Sequence, residues 1–285
     1  MIATKSRPAP AATPADHAVL RMLLSRPYPA VMGVLNITPD SFSDGGQFIA
    51  PQSALAQARR MIAEGADIID IGAESTRPYG AQPVTADEEL QRLRPVLADV
   101  VSLGVPVSID SMKSAVVAWA LDAGASVAND VWGLQRDPDM AGLVAARHAP
   151  VIVMHNRNSV DSDIDIMKDI SIFFARSLEI ADKAGISREN IVLDPGIGFG
   201  KTPEQSMTAL ARLDELGAFG LPLLVGASRK RFISSVSPSE PHQRLGGSIA
   251  AHLIAARGGA RIIRTHDVAE TVQALRVAAA IGDRR

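Results

Sequence analysis

A single-domain α/β protein, a (β/α)8 TIM barrel, is the fold the sequence predicts, and three observations carry it. Eight short apolar runs recur along the chain, at Val31–Leu35, Ile68–Ile71, Val105–Ile109, Ser126–Ala128, Val151–Met154, Ile191–Leu193, Leu223–Val225 and Ile262–Ile263. Continuous apolar runs suit strands buried on both faces, as in a parallel sheet. Stretches with helical spacing separate them, and nearly every run stops at a polar or charged residue. In a barrel of parallel strands the active site lies at the strands' C-terminal ends, so those polar residues mark where chemistry is expected.

The first intervening helix is predicted over Ser53–Glu64, with Leu55, Ala58, Met61 and Ile62 on one face, and Gly65 ending it. Ala86–Leu103 places Leu90, Leu93, Val96, Leu97 and Val100 at three- and four-residue intervals and reads as one helix. Helices are likewise expected over Ser114–Ala123, Ala141–Ala146, Ile166–Ala184, Glu204–Leu216, Leu245–Arg257 and Ala269–Ile281. Three connections are longer than such folds need: Thr38–Gln52, Ala73–Ala86 and Asn156–Asp165. All three fall on the active-site side, as substrate clamps or lids do. The barrel domain is assigned to residues 30–285. Residues 1–29 are read as a flexible N-terminal extension, disordered over Met1–Pro14 with a short helix over Asp16–Ser25.

Composition narrows the function classes. Of 285 residues, 47% are apolar, enough for one large core, and 29 Lys plus Arg against 31 Asp plus Glu leave a formal charge of −2. No clustered basic face marks a nucleic-acid binder, so any anion site is local. The absence of cysteine excludes disulfides, zinc-thiolate centres and thiol nucleophiles. No apolar run approaches the roughly 20 residues that span a bilayer, and residues 1–29 lack a signal-peptide core. The expectation is a cytoplasmic protein with small-molecule substrates, no nucleic acid and no membrane.

Two segments are specific. Val31–Gly46 reads VMGVLNITPDSFSDGG, in which Asn36 ends a strand and a loop with two acids and Phe42 follows. Asp67–Pro78 reads DIIDIGAESTRP, a second strand leading into Thr76, Arg77 and Pro78. At these residues the chain resembles the dihydropteroate synthases, folate-pathway enzymes that join a pterin pyrophosphate to p-aminobenzoate. Later segments agree in order: Ser108-Ile109-Asp110, Ala128-Asn129-Asp130, Leu193-Asp194-Pro195-Gly196, Gly226-Ala227-Ser228-Arg229-Lys230 and Ile263-Arg264-Thr265-His266-Asp267. The resemblance runs from Val31 to the C-terminus. Ala73 and Tyr79 depart from it, standing where the family usually has glycine.

A pterin edge presents amino and ring N–H donors beside a carbonyl. Carboxylates and a carboxamide suit the donors, and a cation suits the carbonyl; Asp110, Asn129, Asp194 and Lys230 supply that set from four strand ends. The resemblance implies the same assignment, with Met154 beside the ring. Arg264 and His266 alternate with Thr265 and can share a face of an extended strand. Arginine pairs with phosphate through parallel N–H groups, and barrels often hold phosphate after the seventh and eighth strands. The resemblance places pyrophosphate on Asn36, Arg264 and His266, with Asn36 also a ligand of Mg2+. A hard cation held largely by phosphates and water needs few protein ligands. On the aminobenzoate side the candidates are Phe42, Thr76, Arg77, Pro78, Phe199 and Ser228, with Phe199 a wall of the pocket. The catalytic candidates are Asp110, Lys230, Arg264 and His266. A homodimer and a sulfonamide target are implied by the resemblance alone.

The implied reaction is substitution at the pterin methylene carbon by a dissociative route. Asp110 stabilises the cationic ring, and Mg2+, Arg264 and His266 the departing anion. The DPGIGFGKT segment at Asp194–Thr202 matches neither phosphate-loop nor dinucleotide pattern, because position 195 is proline and 201 is lysine. Its glycines are read as a tight turn. His148 and His242 are expected in solvent, His252 against a neighbouring helix, Trp119 and Trp132 in packing, and Asp161–Asp169 as a solvated loop and helix start. The rival readings are a pterin-dependent methyltransferase, a silent pterin-binding paralogue and a Schiff-base enzyme using Lys230.

Overall fold

The computed structural model describes residues 18–37, 51–74, 84–282 and 284. Eight parallel strands close a barrel in sequential order: β1 (Ala30–Asn36), β2 (Ile68–Gly72), β3 (Val107–Asp110), β4 (Val127–Asp130), β5 (Val151–Met154), β6 (Ile191–Asp194), β7 (Leu223–Val225) and β8 (Ala260–Thr265), with β8 pairing back to β1. The helices are α1 (Ala18–Leu24), α2 (Pro51–Ala63), α3 (Ala86–Leu93), α4 (Leu97–Val101), α5 (Ser114–Asp122), α6 (Met140–Ala146), α7 (Ile166–Ala184), α8 (Pro203–Ala211), α9 (Arg231–Val236), α10 (Leu245–Arg257) and α11 (Val268–Gly282). No helix among the described residues is long and apolar enough to cross a membrane.

Alternate strand residues feed two separate cores. Val31, Leu35, Ile69, Ile71, Val107, Ile109, Val153, Leu193 and Ile263 face outward and pack against the helices. Met32, Ile68, Val127, Ile152, Val192, Leu224 and Ile262 fill the lumen. That two-residue alternation is the strand period itself, and it explains why the runs look continuously apolar: both faces are buried. The helix expected over Asp16–Ser25 forms from Ala18 to Leu24 and seats Leu20 and Leu23 against the lumen layer. Arg261 holds its end through the carbonyls of Leu24 and Arg26, and Arg26 pairs with Asp67 at 2.5 Å. Met1–Pro14 lies outside the described residues.

Two helices differ from expectation. The stretch Ala86–Leu103 is two helices, α3 and α4, because Pro95 cannot donate its backbone hydrogen bond and Val96 turns out of helical geometry at φ −123°. Thr85 starts α3 with a capping box, its hydroxyl taking the Glu88 N–H while the Glu88 carboxylate takes its own. The helix read over Glu204–Leu216 stops at Ala211, where Arg212 adopts φ −113°, and continues as 3-10 turns over Leu213–Phe219.

Candidate active site

The polar residues stand in the lumen for the same reason the floor residues do. Two residues beyond a lumen position the chain returns to the lumen, so Ile68 leads to Asp70, Val127 to Asn129, Ile152 to Met154, Val192 to Asp194 and Ile262 to Arg264. Asp110 follows outward-facing Ile109 and joins them. An apolar floor therefore changes to a polar roof within one strand repeat. Asp70, Asn129, Asp110, Met154 and Asp194 are all buried.

Arg264 organises that roof. Its Nε donates to Asp70 Oδ2 at 2.6 Å and its Nη2 to Asp110 Oδ2 at 2.7 Å. The Asn129 amide donates to the two Asp70 oxygens at 3.1 and 3.3 Å. Those two bonds use the amide nitrogen and leave the carboxamide oxygen, an acceptor, out of the pair. Asp110 Oδ1 is buried with no hydrogen-bond partner among the described residues. An unpartnered buried carboxylate oxygen is costly unless a ligand supplies the donor. Burial raises the Asp110 carboxyl to about 7, with Arg264 opposing the rise and Asp70 adding to it. Asp194 accepts the Gly196 N–H at 2.7 Å, and burial raises it to about 6 against the pull of that bond, Lys230 and Arg264.

A second wall is apolar. Met154, Phe199 and Val131 form a small buried cluster with Met112 and Trp132. Lys230 holds its ammonium 4.1 Å from the centre of the Phe199 ring, a cation–π contact that favours the charged amine. That contact disfavours the Schiff-base reading of Lys230. Trp132 packs as expected and carries Arg136 at 4.7 Å on its ring. His252 is buried against Thr271 of α11, as expected, and His148 and His242 are exposed. At the end of β8, Ser228 Oγ accepts the His266 backbone N–H at 3.2 Å and lies 3.0 Å from its Nδ1. Burial, with Arg264, Arg229 and Lys230 nearby, lowers His266 to about 3. Those neighbouring cations favour the neutral imidazole in the free site.

The glycines after Asp194 make the tight turn expected of them. Gly196, Gly198 and Gly200 have φ of 63°, 81° and 56°, and a Cβ on Gly196 would stand 2.0 Å from the His155 carbonyl oxygen. Lys201 is buried beneath this turn, its Nζ 2.9 Å from Gly196 O, 3.1 Å from Phe199 O and 2.7 Å from His155 Nδ1. The His155 Nε2 lies 3.0 Å from Asp169. Burial, Lys201 and Arg157 lower His155 to about 2, so this contact is a hydrogen bond from a neutral ring and not an ion pair. Asp169 was expected in a solvated stretch; it is instead held by His155 and, at 3.6 Å, by Arg157. The structure thus brings Asp110, Asn129, Asp194, Lys230, Met154, Phe199, Ser228, Arg264 and His266 to one end of the barrel, with Asn36 at the end of β1 opposite Gly72. Phe42, Thr76, Arg77, Pro78 and Tyr79 lie outside the described residues.

Sequence reasoning passed over Asp70 and Lys201. Asp70 interrupts the run Ile68–Ile71, and a carboxylate inside a strand buried on both faces needs a partner; that was its signal. Lys201 enters the sequence patterns only through a phosphate loop and a dinucleotide fingerprint, neither of which the segment completes.

A closed barrel with carboxylates, a carboxamide and cations gathered at the carboxyl ends of its strands is the frame of an enzyme that grips a polar heterocycle. The chain belongs to the pterin binding enzyme family, whose model matches residues 32–266, and stands among its dihydropteroate synthases. It is 44% identical over 239 residues to the dihydropteroate synthase of Bacillus subtilis, covering 84% of this chain and 83% of that protein. It is 48% identical over 261 residues to a probable bifunctional folylpolyglutamate synthase/dihydropteroate synthase of Haloferax volcanii, covering 89% of this chain but only 31% of that longer protein. The structure of Xanthomonas albilineans dihydropteroate synthase with 4-aminobenzoic acid matches at a TM-score of 0.86 and 43% identity, over 91% of this chain and 94% of that one. The same enzyme in complex with 7,8-dihydropteroate matches at 0.83 and 41%, over 91% and 95%.

Proposed function

We infer that the protein joins 7,8-dihydropterin-6-ylmethyl diphosphate to p-aminobenzoate, giving 7,8-dihydropteroate and pyrophosphate for folate synthesis. The observation that carries the reading is the buried, unpartnered Asp110 Oδ1 beside Asn129, Asp194 and Lys230. It is an acceptor set awaiting the N–H groups of a pterin, with the Lys230 ammonium for its carbonyl. Met154 and Phe199 pack on the ring face, Phe199 and Ser228 stand on the aminobenzoate side, and the family resemblance assigns Phe42, Thr76, Arg77 and Pro78 to that substrate as well.

In the reaction the methylene C–O bond breaks with its electron pair leaving on diphosphate. The aniline nitrogen then forms the C–N bond and gives its surplus proton to water. The dissociative route needs stabilisation of charges that separate. Asp110 faces the cationic ring. Arg264 offers the departing oxygens the part of its guanidinium not taken by Asp70 and Asp110, and His266 donates an N–H. Asn36 supplies one amide oxygen for Mg2+, and among the described residues no group of three His, Asp or Glu side chains forms a metal cluster. That donor set fits a hard ion that takes its other ligands from phosphate and water. When bound, Mg2+ neutralises charge on the diphosphate. A homodimer and a cytoplasmic setting come with the family resemblance. Sulfonamides, which carry an aniline like that of p-aminobenzoate, are expected to compete for the second subsite.

The direct test is pyrophosphate release from the dihydropterin diphosphate with Mg2+, with and without p-aminobenzoate, while dihydropteroate is followed by chromatography. Matched release and product are expected. Pterin binding without product moves the chain to a silent paralogue or a pterin-dependent methyltransferase. The raised Asp194 carboxyl adds a pH signature. Below about 6 its proton must be displaced before it can accept a pterin N–H. Pterin affinity by calorimetry is therefore expected to weaken about tenfold between pH 8 and pH 5 through Asp194 alone, with the protonation of Asp110 near 7 adding to the loss. A flat profile removes both carboxylates from pterin recognition.

A further inference from the structure

We propose that Lys201 is a positioning residue for this reaction: its ammonium, with His155 as third acceptor, fixes the turn after β6 and through it the placement of Asp194 and Lys230. The inference rests on the pterin reading above and extends it to a group that does not touch the pterin.

Three contacts tie the turn to the two binding residues. The Gly196 N–H is bonded to Asp194 Oδ1 at 2.7 Å, so the start of the turn orients that carboxylate. The Phe199 ring carries the Lys230 ammonium at 4.1 Å. The bare Cα of Gly198 lies under the Lys230 stem, where a Cβ would come within 3.3 Å of Cδ. Lys201 Nζ donates to the carbonyls of Gly196 and Phe199, the two residues at either end of that support, and to His155 Nδ1.

An ammonium has three protons and no lone pair, so three acceptors complete it. A neutral His155 protonated on Nε2 has its Nδ1 lone pair available, and the Nε2–H bond to Asp169 selects that tautomer. The chain Asp169–His155–Lys201 thus runs from α7, through the loop after β5, to the turn after β6. Burial pulls Lys201 down to about 7, with Lys230 and Arg157 adding to the fall and Asp194 and Asp169 opposing it. The three acceptors around Nζ select the ammonium, since a neutral amine has only two N–H groups to give them. A lysine kept in such a place for packing alone would be better replaced by methionine. Its three polar contacts give it work that methionine cannot do.

The test compares the full-length protein with Lys201→Met. The measurements are thermal unfolding, calorimetry with 7,8-dihydropterin-6-ylmethyl diphosphate and Mg2+, and steady-state kinetics with both substrates. The variant is expected to be folded at the assay temperature, to bind the pterin diphosphate roughly tenfold or more weakly, and to raise KM for the pterin more than KM for p-aminobenzoate. Pterin affinity unchanged per folded molecule makes Lys201 merely structural and overturns the inference.

Two variants at His155 carry the same comparison should Lys201→Met not accumulate in folded form. His155→Asn places an amide oxygen near the Nδ1 position and is expected to stay within about threefold of the parent, whereas His155→Leu leaves Lys201 one acceptor short and is expected to lose affinity like Lys201→Met. Equal affinity in the two His155 variants overturns the role of the imidazole acceptor. A parent protein that does not bind the pterin diphosphate overturns the functional reading, and the inference with it. A parent that binds while every variant binds equally overturns the inference alone.

Discussion

Replacing Asp110 with Asn is expected to leave the fold intact and to lower kcat by about a hundredfold or more, by analogy with the loss of one preorganised group facing developing charge. The fold survives because the substitution keeps shape. The Asn oxygen can still accept the Arg264 Nη2–H that Asp110 Oδ2 now takes at 2.7 Å, and Arg264 keeps Asp70 as its charge partner. The chemistry suffers because a carboxamide cannot balance a cationic ring. Binding weakens too, because an Asn that keeps its oxygen on Arg264 turns its N–H groups toward those of the pterin. Asn129, Asp194 and Lys230 nonetheless continue to hold the neutral heterocycle, and the transition state loses more. The signature is therefore a large fall in kcat with a smaller change in pterin affinity, read by steady-state kinetics and calorimetry on the same preparation. Parent-like turnover removes Asp110 from the mechanism.

Asp110 was legible in the sequence because it terminates an apolar run, and so were Asn129, Asp194 and Asn36. Each closes, or nearly closes, its strand: Asp110 and Asp194 are the last residues of β3 and β6, and Asn129 is the last but one of β4. Barrel topology alone converts that sequence position into a shared place in space. What the pattern could not give was which strand-end groups bind each other. Arg264 was read as an anion-binding group, and its two carboxylate partners come from β2 and β3, 194 and 154 residues away in sequence. Asp70 was hidden inside a run read as uniformly apolar. Lys201 fits the phosphate-loop pattern only in a segment that breaks it at Pro195, and nothing else in the local sequence points to it, although a buried lysine requires acceptors. Pro95 was visible, but the hydrophobic spacing on either side continued across it, and spacing does not register a missing N–H.

The Asp70–Arg264–Asp110 arrangement supports the other large effect. Removing the guanidinium with Arg264→Ala leaves two carboxylates in one buried lumen with no cation between them. Breaking a buried pair this way typically costs about 3–5 kcal/mol, which in a chain of this size is a fall in Tm on the order of 10 °C. The sign with pH follows from linkage. Without Arg264 the folded Asp110 carboxyl, already raised to about 7 with the guanidinium beside it, titrates higher still, so the deficit is full only in alkaline solution above that folded value. It shrinks as the pH falls through that value and vanishes once the unfolded chain is protonated too.

A second substitution separates stability from binding. Arg264→Ala combined with Asp70→Asn removes one of the stranded charges and is expected to recover much of the lost Tm. It cannot recover diphosphate affinity, because the group that faces the phosphate is still missing. Thermal unfolding at pH 5 and pH 8, with calorimetry using pyrophosphate and Mg2+, reads both quantities. If the double variant regains pyrophosphate binding along with its Tm, Arg264 serves only to neutralise its two aspartates, and the anion must be held by His266 and its neighbours. If stability returns and binding does not, the same guanidinium closes the lumen's charge balance and receives the leaving group, which explains why it is held so deeply in the barrel by two carboxylates.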